Sequence, residues 1–178
     1  MSWTPILLAL FEFVLTAALA LLVVYVNYRL FIGTNTDYDA EEEMKKNNLG
    51  VALLLAALLI GAGMIVREGI YPVTNLVRLY FTSPVDYVSW WELALLIVGH
   101  LLLVFVVAVY TFSFSLRFWG RLTPNINEGE ELKKGNLAVG IVLAGVVAVM
   151  ALFISEGISR LTKAMIPQPQ IGHVEFNR

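Results

Sequence analysis

Two ionisable residues, Glu12 and His100, lie inside long apolar segments of this chain. Trp3 precedes the first and the pair Trp90–Trp91 precedes the second by nine or ten residues, and tryptophan commonly marks the membrane–water boundary. At a helical rise of about 1.5 Å per residue, both side chains are roughly 14 Å deep, near the middle of a bilayer. A charge at that depth is costly and needs a partner, so we predict that Glu12 and His100 pair with each other.

Two simpler arrangements are open for these residues. Glu12 would be protonated and bonded to a backbone or hydroxyl group, or His100 would be neutral and bonded to a nearby Tyr or Ser. No HExxH, GxSxG, phosphate-loop or Cys–His pattern occurs, and the chain has no cysteine. The two histidines, His100 and His173, are too far apart in sequence to suggest a metal cluster. We therefore expect no enzymatic activity, no cofactor and no bound metal.

The chain repeats itself with a shift of 88 residues, so that residues 42–70 align without a gap on residues 130–158. Twelve of the twenty-nine aligned positions are identical. They include a charged start and a closing Glu-Gly-Ile, which chance similarity of apolar segments would not preserve. The repeat predicts two equivalent halves, and the same shift relates Glu12 to His100.

Two further pairs of polar residues are related by the repeat. Asn48 and Asn136 lie where a helix enters the membrane, where they either bond to a neighbouring helix or line a cytoplasmic vestibule. Glu68 and Glu156 follow twenty residues later, roughly 30 Å along a helix, which is one hydrocarbon thickness. They can therefore reach water and cap the bundle, or they serve as functional carboxylates.

The composition indicates an integral membrane protein. The chain is 58% hydrophobic and 15% charged, whereas soluble domains have roughly 25% charged residues. A net charge of -2 gives no reason to expect a nucleic-acid partner. Four apolar segments are long enough to cross a bilayer. They run over about 5–31, 49–66, 91–116 and 137–154.

These segments predict an all-α membrane protein with four transmembrane helices, arranged as two helical hairpins of the same orientation. The predicted units are residues 1–70 and 91–158, an interfacial connection over 71–90 that begins where Tyr71–Pro72 ends the second helix, and an amphipathic stretch and tail over 159–178. Asp39 before Glu42, and Asn127 before Glu130, have helix-capping spacing. The second and fourth helices should therefore start outside the membrane.

The loops 33–47 and 121–135 share one side of the membrane, called the loop side below. That side carries seven Lys and Arg residues, against five on the side of the termini. The positive-inside rule then places the loop side in the cytoplasm and both termini outside the cell membrane.

Small residues on the second and fourth helices predict a close contact between them, because helix backbones approach closely in lipid where side chains are small. The residues are Ala52, Ala56, Gly140, Ala144 and Ala148.

The segment Leu122 to Gly145 and its first copy resemble the repeat unit of the DUF350 family of inner-membrane proteins. The signature is an acidic-basic helix start, then Lys-x-Asn, then a membrane helix rich in Ala and Gly. Residues 133–138 fit it closely, and residues 45–50 are more diverged. The resemblance covers about residues 5–70 and 93–158. It implies a four-helix membrane protein with no assigned activity and an association with envelope-stress proteins.

Two functions remain open. The first is a structural or assembly component of the membrane, acting in the bilayer through an envelope-stress or other membrane protein partner. The second is a small transporter or ion conduit that works as a homodimer or larger homo-oligomer through its buried Glu, His and Asn groups. Four helices enclose little room for a pore, which favours the first.

Overall fold

The computed structural model describes residues 3–34, 38–82 and 89–165. Four long helices in this part of the chain are apolar enough and long enough to cross a membrane, which confirms the predicted fold class. Two short helices precede the second and the fourth of them. In chain order the elements are α1 (Thr4–Thr34), α2 (Ala40–Lys45), α3 (Leu49–Thr82), α4 (Trp90–Leu122), α5 (Glu128–Lys133) and α6 (Leu137–Ala164).

The short helices α2 and α5 begin at the predicted caps. The side chain of Asp39 accepts a hydrogen bond from the Glu42 amide at 3.1 Å, and that of Asn127 accepts one from Glu130 at 3.3 Å. The spacing predicts that these caps start the membrane helices, but each of them starts a short helix instead. A turn separates each short helix from the long one that follows, and it contains a residue with positive φ: Asn47 at 61° and Gly135 at 79°.

Helix α3 corrects a second prediction, because it continues through Pro72 and ends at Thr82. A proline inside a helix removes one hydrogen bond and costs about 3 kcal/mol. The segment after it is nevertheless packed: Val73, Leu76 and Val77 are buried, and so is Pro72. Tertiary packing of this segment outweighs the local penalty. The placement of residues 71–90 at the membrane interface stays a prediction, and residues 83–88 lie outside the described part, as does the tail after Met165.

Helices α3 and α6 form the centre of the bundle and run in the same direction. A methyl group on Gly61 would lie 3.0 Å from the Ala151 side chain. One on Gly140 would lie 2.7 Å from the Gly50 carbonyl oxygen and closer still to its Cα. Both helices thus advance together from Gly50 and Gly140 to Gly61 and Ala151, as expected for two hairpins of the same orientation.

The predicted contact between small residues of α3 and α6 is therefore centred on Gly50 and Gly140, and only part of the predicted set takes part in it. Gly140 and Ala144 are buried and Ala52 is half-buried, but Ala56 and Ala148 are exposed. The physical reason is the position of the crossing. The helices touch most closely near their first turns, at Gly50 and Gly140, and Gly61 faces Ala151 further along, whereas Ala56 lies off this contact and is exposed.

The outer helices break the symmetry of the repeat. Helix α4 packs on both α3 and α6, whereas α1 packs on α3 and has no comparable contact with α6 in the described residues. A methyl group on Gly69 would lie 2.8 Å from Val104 of α4. Its repeat equivalent, Gly157 on α6, has nothing within 4 Å. One side of the central helix pair is closed by α4, and a gap remains between α1 and α6 on the other side.

Candidate functional site

On the loop side, the side chain of one glutamate holds the turn between α2 and α3 in place. Lys46 Nζ lies 3.1 Å from Glu43 Oε1, and Asn48 Nδ2 donates to Glu43 Oε2 at 3.0 Å. Asn48 Oδ1 also accepts from the Val51 amide at 3.3 Å, at the start of α3. We call this arrangement of Glu43, Lys46 and Asn48 the first cap motif. It satisfies an amide that α3 cannot pair within its own first turn.

The second half builds the same arrangement before α6. Lys134 Nζ lies 2.8 Å from Glu131 Oε1, and Asn136 Nδ2 donates to Glu131 Oε2 at 2.8 Å. Asn136 Oδ1 accepts from the Val139 amide at 3.4 Å. Glu131, Lys134 and Asn136, the second cap motif, are the repeat equivalents of the first. The polar residues that are identical in the two halves therefore form the same hydrogen-bonding arrangement before α3 and before α6.

The first cap motif also joins the two halves of the protein. Asn48 Nδ2 donates to the Leu132 carbonyl of α5 at 2.6 Å, and Asn48 is 7% exposed. Asn136 is only half-buried, and its amide is bonded within its own half. Both asparagines thus bond to the turn before their own helix, and Asn48 also bonds to the other half.

The hydrogen bonds of the cap motifs lower the pKa of both glutamates. Bonds from Asn48 and then Lys46 hold the pKa of Glu43 below its ordinary value of 4.5, and the ammonium of Lys133 adds a smaller effect. Bonds from Lys134 and Asn136 lower the pKa of Glu131 in the same way. The pKa of Lys46 is raised by its bonds to Glu42 and then to Glu43, and the pKa of Lys134 is raised by its bond to Glu131.

The lowered pKa values predict acid sensitivity of the fold. Stabilisation by Glu43 and Glu131 is fully present above their ordinary pKa of 4.5 and is lost as the pH falls through the lower pKa values of the folded state. Unfolding in detergent should therefore show that the free energy of unfolding of Glu43→Gln with Glu131→Gln falls less than that of the unchanged protein as the pH is lowered below 4.5. The paired control is Glu42→Gln with Glu130→Gln, at exposed repeat-equivalent positions where the ion pair of Glu42 with Lys46 is open to solvent. Equal acid sensitivity in the two double variants would contradict this role.

The predicted pair between Glu12 and His100 does not form within the chain. Glu12 Oε1 is 3.3 Å from Arg78 Nη2 of α3. His100 Nδ1 lies 2.8 Å from the Leu96 carbonyl, one turn earlier in its own helix, and the buried Nε2 has no hydrogen-bond partner among the described residues. The pair fails because α1 and α4 take different positions: α1 packs mainly on α3, whereas α4 packs on both α3 and α6.

At the far end of the bundle, a cavity of about 550 Å³ lies between α1, α3 and α6. We call it the three-helix cavity. Charged groups from all three helices line it, together with polar and aromatic side chains. Its lining residues are Glu12, Thr16, Arg67, Glu68, Ile70, Tyr71, Thr74 and Lys163.

The structure separates the two glutamates that the repeat made equivalent. Glu68 is half-buried and lines the three-helix cavity, whereas Glu156 is exposed and pairs with Arg160 at 2.5 Å. Two residues of this region were not predicted from the sequence. Arg78 pairs with Glu12, and Lys163 lines the same cavity as Glu12 and Glu68. The signal for Arg78 was its place on a face shared with Arg67 and Tyr71, but this requires a helix that continues past Pro72.

Comparisons with known proteins agree with the repeat. The family model described as Domain of Unknown Function (DUF350) matches residues 3–117 and residues 90–168. The two matches cover both halves, and they overlap in α4. A comparison with curated proteins and a comparison with solved structures each found no match.

Proposed function

Since the chain belongs to the DUF350 family, whose description assigns no activity, we propose a function from the geometry of its loop side. The protein acts as a structural or assembly component of the cell membrane, without catalytic activity of its own. A partner protein binds the surface formed by α2 and α5, called the loop-side surface. The family resemblance favours an envelope-stress protein as that partner.

The observation that carries this proposal is the pair of cap motifs. Each fixes a short helix against the start of a membrane helix, and the bond from Asn48 to Leu132 holds the two short helices in one surface. The remaining charges point outward, because Glu42, Lys45, Glu130 and Lys133 are all exposed. A rigid surface with fixed charges of both signs suits recognition of a protein partner.

A transporter or conduit has less support in a single chain. The polar side chains buried in the described spans donate mainly to carbonyls of their own helix. Asn27 bonds to Val23, Thr111 to Val107 and Ser115 to Thr111. Such bonds satisfy the polar groups within each helix and do not link them into a path between helices. A conduit would therefore need a homo-oligomer.

We further propose that the loop-side surface faces the cytoplasm of a cell with the protein in its inner membrane. Support comes from the excess of Lys and Arg on this side, seven residues against five. The absence of natural cysteines allows a direct check, since any introduced thiol is the only one in the chain.

Cysteines at Glu42 and Glu130 test both proposals. In intact cells a membrane-impermeant maleimide should leave them unlabelled, and a permeant maleimide should label them. A thiol-attached photocrosslinker at either position should give one discrete adduct with a partner protein. Adding Lys45→Glu and Lys133→Glu should reduce that adduct by about tenfold, because charge reversal turns attraction into repulsion at the contact.

Phe153→Cys is the matched control, because Phe153 is 72% exposed on the apolar surface of α6. Its crosslinker should capture lipid and no discrete protein. A protein adduct only at Phe153, or an adduct at Glu42 that survives both lysine reversals, would contradict a charged partner site on the loop-side surface. Labelling of Glu42→Cys by the impermeant reagent would reverse the orientation.

A further inference from the structure

We propose that the three-helix cavity binds the headgroup of a phospholipid that carries both a phosphate and a primary ammonium group, as phosphatidylethanolamine does. The proposal is independent of the loop-side surface, which lies at the other end of the bundle. It assigns a ligand class to charged residues that the proposed function does not use.

The charges in the cavity are complementary to such a headgroup. Arg67 on α3 and Lys163 on α6 supply cationic donors for a phosphate, and Glu68 supplies a carboxylate for an ammonium group. Among the described residues, none of these three side chains takes part in an ion pair within 4.0 Å. Glu12, the second carboxylate, has Arg78 as a partner at 3.3 Å. Lys163 Nζ lies 5.9 Å from the centre of the Tyr71 ring, in a cation–π contact that does not use its hydrogen-bond donors. Arg67, Glu68 and Lys163 can thus still bind a ligand.

The depth of the cavity matches the headgroup layer. Helix α3 begins after Asn48 on the loop side, and Arg67 follows nineteen residues later. At a rise of about 1.5 Å per residue this places Arg67 roughly 29 Å along the helix, close to the thickness of the hydrocarbon core of about 30 Å. Arg67 and Glu68 therefore lie at the far boundary of the membrane, where phosphate and ammonium groups of lipids reside. Glu12 lines the same cavity, so it lies nearer this boundary than the mid-depth that its distance from Trp3 predicted.

An apolar face continues from the cavity towards the loop side. Ile60 and Leu53 lie seven and fourteen residues before Arg67, a spacing that puts them on the same face of α3. Leu53 is 39% exposed and Ile60 is 65% exposed. Because α1 makes no extensive contact with α6 in the described residues, this face is left for an acyl chain that descends from a bound headgroup.

The repeat shows that the cavity belongs to one half alone. On the opposite side of the central pair, α4 closes the space, with Val104 at the position equivalent to Thr16. The equivalents of Arg67 and Lys163 are Ser155 and Asn75, so neither cationic group is repeated. The gap between α1 and α6 and the two cationic residues that the repeat lacks, Arg67 and Lys163, therefore occur at the same place.

Lipid binding to the purified, delipidated protein in a non-ionic detergent tests the proposal, with native mass spectrometry as the measurement. The probes are short-chain phosphatidylethanolamine, phosphatidylcholine and phosphatidylglycerol. Phosphatidylethanolamine should bind about tenfold more tightly than the other two, since only it offers both a phosphate and N–H donors to a carboxylate. Soluble phosphoethanolamine should compete with it more effectively than inorganic phosphate does.

Variants distinguish the roles of the lining residues. Glu68→Gln should weaken phosphatidylethanolamine binding about tenfold and leave phosphatidylglycerol binding unchanged. Arg67→Gln with Lys163→Gln should weaken both lipids. Glu156→Gln and Arg160→Gln are matched controls, because these exposed residues pair with each other and do not line the cavity. Circular dichroism should show that all variants remain helical.

Three results would overturn the proposal. Equal retention of all three lipids, unaffected by the cavity variants, would indicate only the general lipid shell of a membrane protein. Binding of inorganic phosphate as tight as that of the lipid would indicate a site for a free anion. The third result is a dimer of the unchanged protein that dissociates in the double variant Arg67→Gln with Lys163→Gln while lipid stays bound. It would mean that a second copy of the chain occupies the cavity.

Discussion

Replacing Gly140 by Ala should lower the free energy of unfolding by about 2 kcal/mol or more. The added methyl group would lie 2.7 Å from the carbonyl oxygen of Gly50 and 2.9 Å from its carbonyl carbon. These are backbone atoms, which cannot rotate away as the end of a side chain can. Helices α3 and α6 would have to move apart at this crossing. Unfolding by sodium dodecyl sulfate from a mild detergent, followed by circular dichroism, measures the change.

Gly145→Ala on the same helix is the control. A methyl group there has nothing within 4 Å, and Gly145 is exposed. The substitution carries the same gain in helix propensity, about 1 kcal/mol, without a clash. Its stability should therefore equal or exceed that of the unchanged protein. If Gly140→Ala behaved like Gly145→Ala, the two helices would not approach each other as closely as the structure shows.

Replacing Asn48 by Ala should cost about 2–4 kcal/mol, more than the same change at Asn136. Asn48 caps α3, binds the Glu43 carboxylate and donates to the Leu132 carbonyl of the other half. Loss of a helix cap costs about 1 kcal/mol, and an unsatisfied buried polar group adds about 1–3 kcal/mol. The same detergent unfolding measurement applies.

Asn136→Ala is the matched comparison, because Asn136 makes the cap and the glutamate bond but is only half-buried. It should cost about 1–2 kcal/mol. The difference between the two variants isolates the bond between the halves. Equal costs would mean that the bond from Asn48 to Leu132 adds nothing to stability.

The fold was accessible from the sequence where the signal was periodic or repeated. Apolar length placed four membrane helices, and the gapless repeat gave two hairpins of one orientation. The caps at Asp39 and Asn127 were also predicted, since the bonds are made within three residues. Each of these features depends on local spacing or on identity between the two halves, both of which are visible in a single chain.

Features that depend on contacts between particular helices could not be predicted from the sequence. The break expected at Pro72 was wrong because burial of Val73 and Leu76 outweighs a local preference. The pairing of Glu12 with His100 assumed that equivalent helices occupy equivalent places, but α1 and α4 pack differently. The three-helix cavity exists because of that difference. A sequence that repeats itself predicts equivalence, and the departure from it appears only in three dimensions.

The central crossing has a bearing on how the protein is made. Gly50 and Gly140 are 90 residues apart in sequence, so most of the chain must leave the ribosome before α3 can meet α6. Helix α1 contacts α3, the long helix that follows it, and this hairpin is available early in synthesis. Until α6 is inserted, the glycines of α3 face lipid or the insertion machinery. Helix α6, the last of the four described membrane helices, therefore completes the core, and a chain truncated before it lacks the closest contact between the two halves.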